Sequence, residues 1–168
     1  MKRDGRLSLA LHALLHFADA GGALTSEAIA AGLGTNPVVI RRTMAGLRDA
    51  GIVASEKGHG GGWTLVRPLP AITLGDVYDA LGIASAFAIG NRTESPGCLV
   101  EQAVNRATGA ALAEAEAVLV RRLHAVTLAE LAADVRRHAL HAPHATRTRG
   151  HDAAAHAAHF ANGKVTRA

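Results

Sequence analysis

Three helical patterns crowd into the first fifty residues, each short and each followed by glycine, and this spacing constrains the fold more than any other feature. Leu7, Leu11, Leu14, Leu15 and Ala18 fall on one face of a helix, which predicts a helix over 6–20 ended by Gly21-Gly22. Thr25-Ser26-Glu27 offers an N-cap for a second helix, Ala28 to Leu33, stopped by Gly34. Asn36 caps the third, and Pro37 stands at its first position, where a missing N–H costs nothing. That pattern continues to Ala50 and stops at Gly51. Short helices joined by tight turns have the spacing of a helix-turn-helix unit.

Past Gly51 the pattern changes. Ile52 to Glu56 reads as a strand, Lys57-Gly58-His59-Gly60-Gly61-Gly62 as a turn, and Trp63 to Val66 as the returning strand, ended by Pro68 and Pro70. Together they predict a β-hairpin. Thr73 with Asp76 three residues on is a capping pattern for a fourth helix carrying Val77, Tyr78 and Leu81. Residues 82–98 are irregular. From Leu99 a long helix begins, with Leu112, Ala115, Leu119, Leu123 and Val126 forming a continuous apolar seam. Such a seam needs a partner, either the body of its own subunit or another chain. Gly109 is a candidate kink. Thr127 with Glu130 caps a final helix to about Arg137.

Composition agrees with a mainly α chain. Of 168 residues, 37 are Ala and only Phe17, Trp63, Tyr78, Phe87 and Phe160 are aromatic. Ala has the best helix propensity, and an all-β sandwich wants β-branched and aromatic residues instead. The formal charge of +4 is unevenly placed. Residues 1–135 carry a net −1, and residues 136–168 carry +5 with six of the ten His. That tail has few large apolar side chains and reads as unstructured. The global charge is therefore no evidence that the folded part binds nucleic acid. One cysteine, Cys98, excludes an intramolecular disulfide and fits a reducing compartment. No run of apolar residues is long enough to span a membrane, and Met1-Lys2-Arg3-Asp4 opens no signal peptide, so a cytoplasmic protein is expected.

The third helix can be read around its axis. Ile40, Met44 and Leu47 face the core; Val38, Arg42, Ala45 and Asp49 point away, with Arg41 and Arg48 on a flank. A helix entering the major groove needs little bulk, an Arg able to hold guanine, and cations for phosphate. Residues 36–67 hold a net +3, so the local charge supports nucleic-acid binding where the global charge does not. On this face alone, DNA contact and a solvated helix surface are equally good readings. The hairpin tip, with Lys57, His59 and four Gly, suits a phosphate backbone or a minor groove. It lacks the GK[ST] ending and following helix of a nucleotide-binding P-loop.

The residues match a known family in order. Leu24-Thr25-Ser26-Glu27-Ala28-Ile29-Ala30, Asn36-Pro37-Val38-Val39-Ile40-Arg41-Arg42, Leu47 to Val53, Gly58-His59-Gly60-Gly61-Gly62-Trp63-Thr64-Leu65, Ile72-Thr73-Leu74, Cys98-Leu99-Val100 and Val126 to Leu131 resemble the Rrf-two (Rrf2) family of bacterial winged-helix transcription regulators. The Asn-Pro-Val-Val-Ile-Arg-Arg run is most similar to its cluster-free branch. The resemblance covers about residues 6–135. It implies a winged helix-turn-helix domain over 1–81, a linker and dimerisation helices over 82–137, and a basic tail over 138–168 outside the family pattern. It implies a homodimer, joined through Leu112, Leu119 and Leu123, that binds a palindromic double-stranded DNA operator and represses transcription until a signal releases it. Arg41 and Arg42 would contact base or phosphate, with Asn36, Val38 and Thr43 or Arg48 beside them and Lys57 and His59 on the wing.

In the iron–sulfur members of that family, three cysteines follow the fourth helix and hold the cluster with one further residue. Here only Cys98 remains, at the last of those positions, after Asn91, Arg92, Glu94 and Ser95. One thiolate cannot hold a cluster that needs about four protein ligands, so no cofactor is expected within one subunit. Cys98 then has two readings: a redox or electrophile sensor at a helix N-terminus, or a small buried residue of the dimer helix. His12 and His16, four apart, and the tail's His138, His141 and His144 are too few for a closed zinc site. No carboxylate pair or nucleophile–base set emerges, so no enzyme is expected. The rival to a DNA-binding regulator is a winged-helix module that binds a partner protein instead of DNA.

Overall fold

The structure, a computed structural model, describes residues 4–56, 58, 61–87, 95 and 97–141, without the side chains of the last three. Six helices and one hairpin occur in the order α1 (Arg6–Ala20), α2 (Ser26–Leu33), α3 (Pro37–Asp49), β1 (Val53–Glu56), β2 (Gly62–Leu65), α4 (Leu74–Ala80), α5 (Leu99–His124) and α6 (Leu128–His141). A 3-10 turn, Leu69–Ala71, follows the hairpin. The mainly α fold with a small β-hairpin wing is the architecture expected from the sequence.

The caps are where the sequence puts them. Thr25 Oγ1 accepts from the Ala28 N–H, and Gly34 closes α2 in the left-handed conformation at φ 60°. Asn36 Oδ1 accepts from the Val38 N–H at 2.8 Å. Thr73 and Asp76 form a reciprocal capping box, with bonds of 2.9 and 3.0 Å. Thr127 and Glu130 repeat it at the start of α6. Each box satisfies backbone donors that a helix N-terminus otherwise leaves unmet.

One core joins nearly every element. Ala10, Ala13, Leu14 and Phe17 of α1 meet Ile29 and Ala30 of α2, Ile40, Met44 and Leu47 of α3, Ile52 and Val53, Ile72, and Val77 of α4. Leu128 of α6 belongs to the same cluster. The final helix, expected within the 82–137 unit, is thus packed into the core of the first 81 residues. Two backbone bonds tie it there, Leu128 N–H to Ile72 O at 2.8 Å and Leu74 N–H to Val126 O at 2.9 Å. This pairing of Thr73 with Thr127 has no local sequence signal. α6 also runs to His141, past the expected end at Arg137.

The hairpin is antiparallel, with Val53 opposite Leu65 and Glu56 opposite Gly62. Its second strand is fastened to the helix-turn-helix. Leu24 and Trp63 exchange backbone bonds of 3.0 and 2.9 Å, and the Trp63 indole N–H donates to the buried Ser26 hydroxyl at 3.0 Å. A side chain at Gly62 would meet the Leu24 carbonyl at 2.7 Å, so glycine permits this third-strand contact.

α5 departs from the core. None of its 26 residues is buried, and it passes Gly109 as one helix. It touches the body mainly through α4. Glu116 Oε1 accepts from the Tyr78 hydroxyl at 3.1 Å and the Ala86 N–H at 3.0 Å. His124 fits over Gly75 and pairs with Asp79 at 3.1 Å. Burial and the bond to Glu116 push the Tyr78 phenol up from its ordinary value.

Candidate nucleic-acid interface

α3 divides as its spacing requires. Ile40, Thr43, Met44 and Leu47 are buried. Val38, Arg42 and Asp49 are exposed on the opposite side, and Ala45 is half-buried. Thr43 differs from its expected neighbours in the groove: at 5% exposure it lies on the buried side. Its place beside Ile40 around the axis, not its polarity, decides this. Asn36 remains at the edge of the surface, but its side-chain oxygen is engaged in capping α3.

The three arginines of α3 are not equivalent. Arg41 forms an ion pair with Glu27 of α2. Arg48 pairs with its neighbour Asp49 at 2.8 Å. Arg42 is exposed and forms no ion pair among the described residues. Arg67, also counted in the local +3, turns to Asp76 at 3.6 Å and to the Ala71 carbonyl. Two of the partners, Glu27 and Asp76, lie outside residues 36–67. A charge tally over a window of sequence misses them, and among the described residues of that window the positive charge without an ion pair narrows to Arg42. The wing residues Lys57 and His59 lie outside the described residues.

Beside Arg42 lies a hollow of about 440 Å³ where α3 meets the start of α1 and the end of α4. Val38, Val39, Arg42, Gly46, Leu81 and Arg6 help to line it. Arg6 had no sequence signal for this place. It is held by Asp4 at 2.6 Å and donates to the Leu81 carbonyl at 3.2 Å. Val39 was equally overlooked, although its position next to Arg42 could be read from the helical period.

The expected dimer leucines lie on the side of α5 nearest the body of their own chain. Leu112, Leu119 and Leu123 are half-buried and share the helix side of Glu116, which is bonded to Tyr78 and Ala86 of the same chain. A neighbouring stripe of α5, about a third of a turn around the axis, exposes Val100 (71%), Val104 (54%), Ala107, Ala111 and Val118 at intervals of three, four and seven. Cys98, at the N-cap of α5, is exposed, so burial within its own subunit is not its role. His12 and His16 stack with ring centroids 5.0 Å apart. His138 lies beside Asp134, and His144, with the tail from residue 142, lies outside the described residues. No described helix is long and apolar enough to cross a membrane.

A helix-turn-helix with a hairpin wing fastened to its second helix, and a basic residue on the open face of its third, defines a winged-helix DNA-binding protein. Residues 4–134 match the family model for Rrf2, described as iron-dependent transcriptional regulators. The chain belongs to the Rrf2 family, whose members are transcriptional regulators and not enzymes. YwgB of Bacillus subtilis (strain 168), named as an HTH-type transcriptional regulator, is 47% identical over 58 residues, or 34% of this chain and 37% of that protein. The chain thus aligns with about a third of that curated relative. A transcriptional regulator from Lactobacillus plantarum has a similar structure, with TM-score 0.68 and 25% identity, covering 80% of this chain and 91% of that one. IscR from T. potens matches at TM-score 0.59 and 21% identity over 89% and 94% of the two chains. CymR, the global cysteine regulator of B. subtilis, matches at 0.51 and 23% over 80% and 98%.

The family description invokes iron, and the donors here do not fit a cluster. Cys98 is the only thiol of the chain. Among the described residues, no three His, Cys, Asp or Glu side chains are grouped to hold a metal ion. Iron–sulfur clusters are held chiefly by several thiolates.

Proposed function

We propose that the protein is a homodimeric repressor that binds a palindromic DNA operator in the cytoplasm and works without a cluster of its own. The observation that carries DNA recognition is Arg42, exposed on the open face of α3 and without an ion pair among the described residues, one turn after Val38. Arg in that position suits bidentate contact with guanine in the major groove. Arg41 and Arg48 contribute phosphate contacts by exchanging their carboxylate partners for the DNA backbone, and Lys57 and His59 serve the wing. Supporting the dimer is the apolar side of α5 from Val100 to Val118, which suits a second copy of the same helix. Two copies related by a two-fold axis would read two half-sites, so the operator is palindromic.

The experiment is selection of bound duplexes from a random pool, followed by affinity measurements on the selected site. An inverted repeat is expected. Lys57→Ala should weaken all sequences alike and lower the salt slope by about one. A pool that yields no enriched sequence would refute DNA recognition and favour the protein-interaction module.

The release signal is proposed to act through Cys98, whose exposed thiol stands at the start of the proposed dimer helix. Operator affinity should fall after peroxide treatment in the wild type and hold in Cys98→Ser. Equal responses would refute the sensor. Iron and sulfide analysis of protein purified without oxygen tests the cluster-free reading, with less than one iron per chain expected.

A further inference from the structure

We propose that Val38 and Val39 read the 5-methyl groups of thymines that flank the guanine held by Arg42. The inference rests on the DNA-binding reading of α3 and specifies what its first turn recognises.

Val38 is 62% exposed and Val39 42%, although both are β-branched apolar residues on a helix whose other large apolar side chains are buried. They stand four and three residues before Arg42, and around the helix axis Arg42 lies between them. The Asn36 cap on the Val38 N–H fixes the backbone of this turn. In a helix a valine has one strongly preferred rotamer, so little freedom is lost when these methyls are covered. The hollow beside them is lined by Arg6 and Arg42 and by no carboxylate. An anionic partner with apolar points at a fixed distance from a guanine edge matches this surface. In the major groove only thymine offers an apolar group, its 5-methyl. An apolar protein partner or a small neutral ligand would leave Arg42 without a counterpart.

The test uses the full chain and a duplex selected from a random pool. The selected half-site should place thymine within about two base pairs of the guanine that Arg42 requires. Replacing those thymines by deoxyuridine removes only the methyl groups. Wild-type affinity should then fall about fourfold per methyl lost, the effect of uncovering one methyl-sized apolar group. The Val38→Ala, Val39→Ala double variant, with an unchanged melting temperature, should bind thymine and deoxyuridine duplexes alike. Equal wild-type affinity for the two duplexes would overturn the proposal, as would a methyl effect of the same size in the double variant. If a motif is selected and Arg42→Ala abolishes its preference while deoxyuridine has no effect, thymine reading alone falls. If no motif is selected, DNA recognition falls and takes the inference with it.

Discussion

Helices α3 and α5 keep opposite parts of themselves from water. α3 buries four of its 13 residues and leaves an arginine-bearing side in the open. α5 is 26 residues long, buries none, and leaves valines and alanines in the open. The sign of what remains exposed distinguishes the partners. A basic, low-bulk surface is stable in water and waits for an anion. An apolar stripe is costly in water and is covered by another apolar stripe. On the proposed reading, the first helix belongs to the fold and offers one side to DNA, and the second gains its full burial when a second chain arrives.

The largest expected effect breaks the α3 side of this contrast. Leu47→Ala, at a position fully shielded from solvent, should lose about 2–5 kcal/mol in denaturant unfolding. Val104→Asp in α5 should leave the fold intact and shift the population from dimer to monomer in sedimentation. A monomer-sized wild type, or a Val104→Asp variant that stays dimeric, would break the proposed role of α5. Arg42→Ala should weaken binding to the selected operator by about 1–3 kcal/mol without a change in melting temperature.

Smaller effects sharpen the comparison at the α4 joint that connects α5 to the body. Thr73→Ala removes the capping hydroxyl and should cost about 1 kcal/mol. Asp76 of the same box adds a pH dependence. Burial pushes its carboxyl up, but bonds from Thr73 and the charges of Arg67 and His124 outweigh this and hold it below its ordinary 3.8. Its stabilising contribution is therefore full above the ordinary value and is lost as pH falls through the lower folded value. Acid unfolding as pH falls below the ordinary 3.8 should be shallower in Asp76→Asn than in the wild type. The smallest effect is Glu27→Gln, which opens an exposed ion pair and should change stability by about 0–1 kcal/mol. The same change frees Arg41 and should raise affinity for DNA at low salt.

Local signals made most of the winged helix legible before the structure. Caps at Thr25, Asn36, Thr73 and Thr127, and the left-handed glycines at 21, 34 and 51, mark helix ends through short-range bonds that a sequence displays directly. Contacts between distant segments were not legible. Thr127 pairing with Thr73, Leu24 with Trp63, and Arg6 reaching Leu81 depend on how the elements pack. The same distinction explains the site. The helical period placed Arg42 and Val38 correctly on the open side of α3. The same period puts Thr43 on the buried side, where the structure has it. The leucine seam of α5 was real, but its period could not say whether the partner was α4 or a second chain. Half-burial beside Glu116 shows that this side of the helix already meets its own body in part.

The attachment of Trp63 in the second strand of the wing has a practical consequence. It is the only tryptophan of the chain, and its indole N–H is bonded to Ser26 at the first turn of α2. Its emission is therefore a label-free optical reporter of one joint, between the hairpin and the helix-turn-helix. A shift in that emission on mixing with an operator duplex would register strain at the joint as the wing docks, in real time and in unmodified protein.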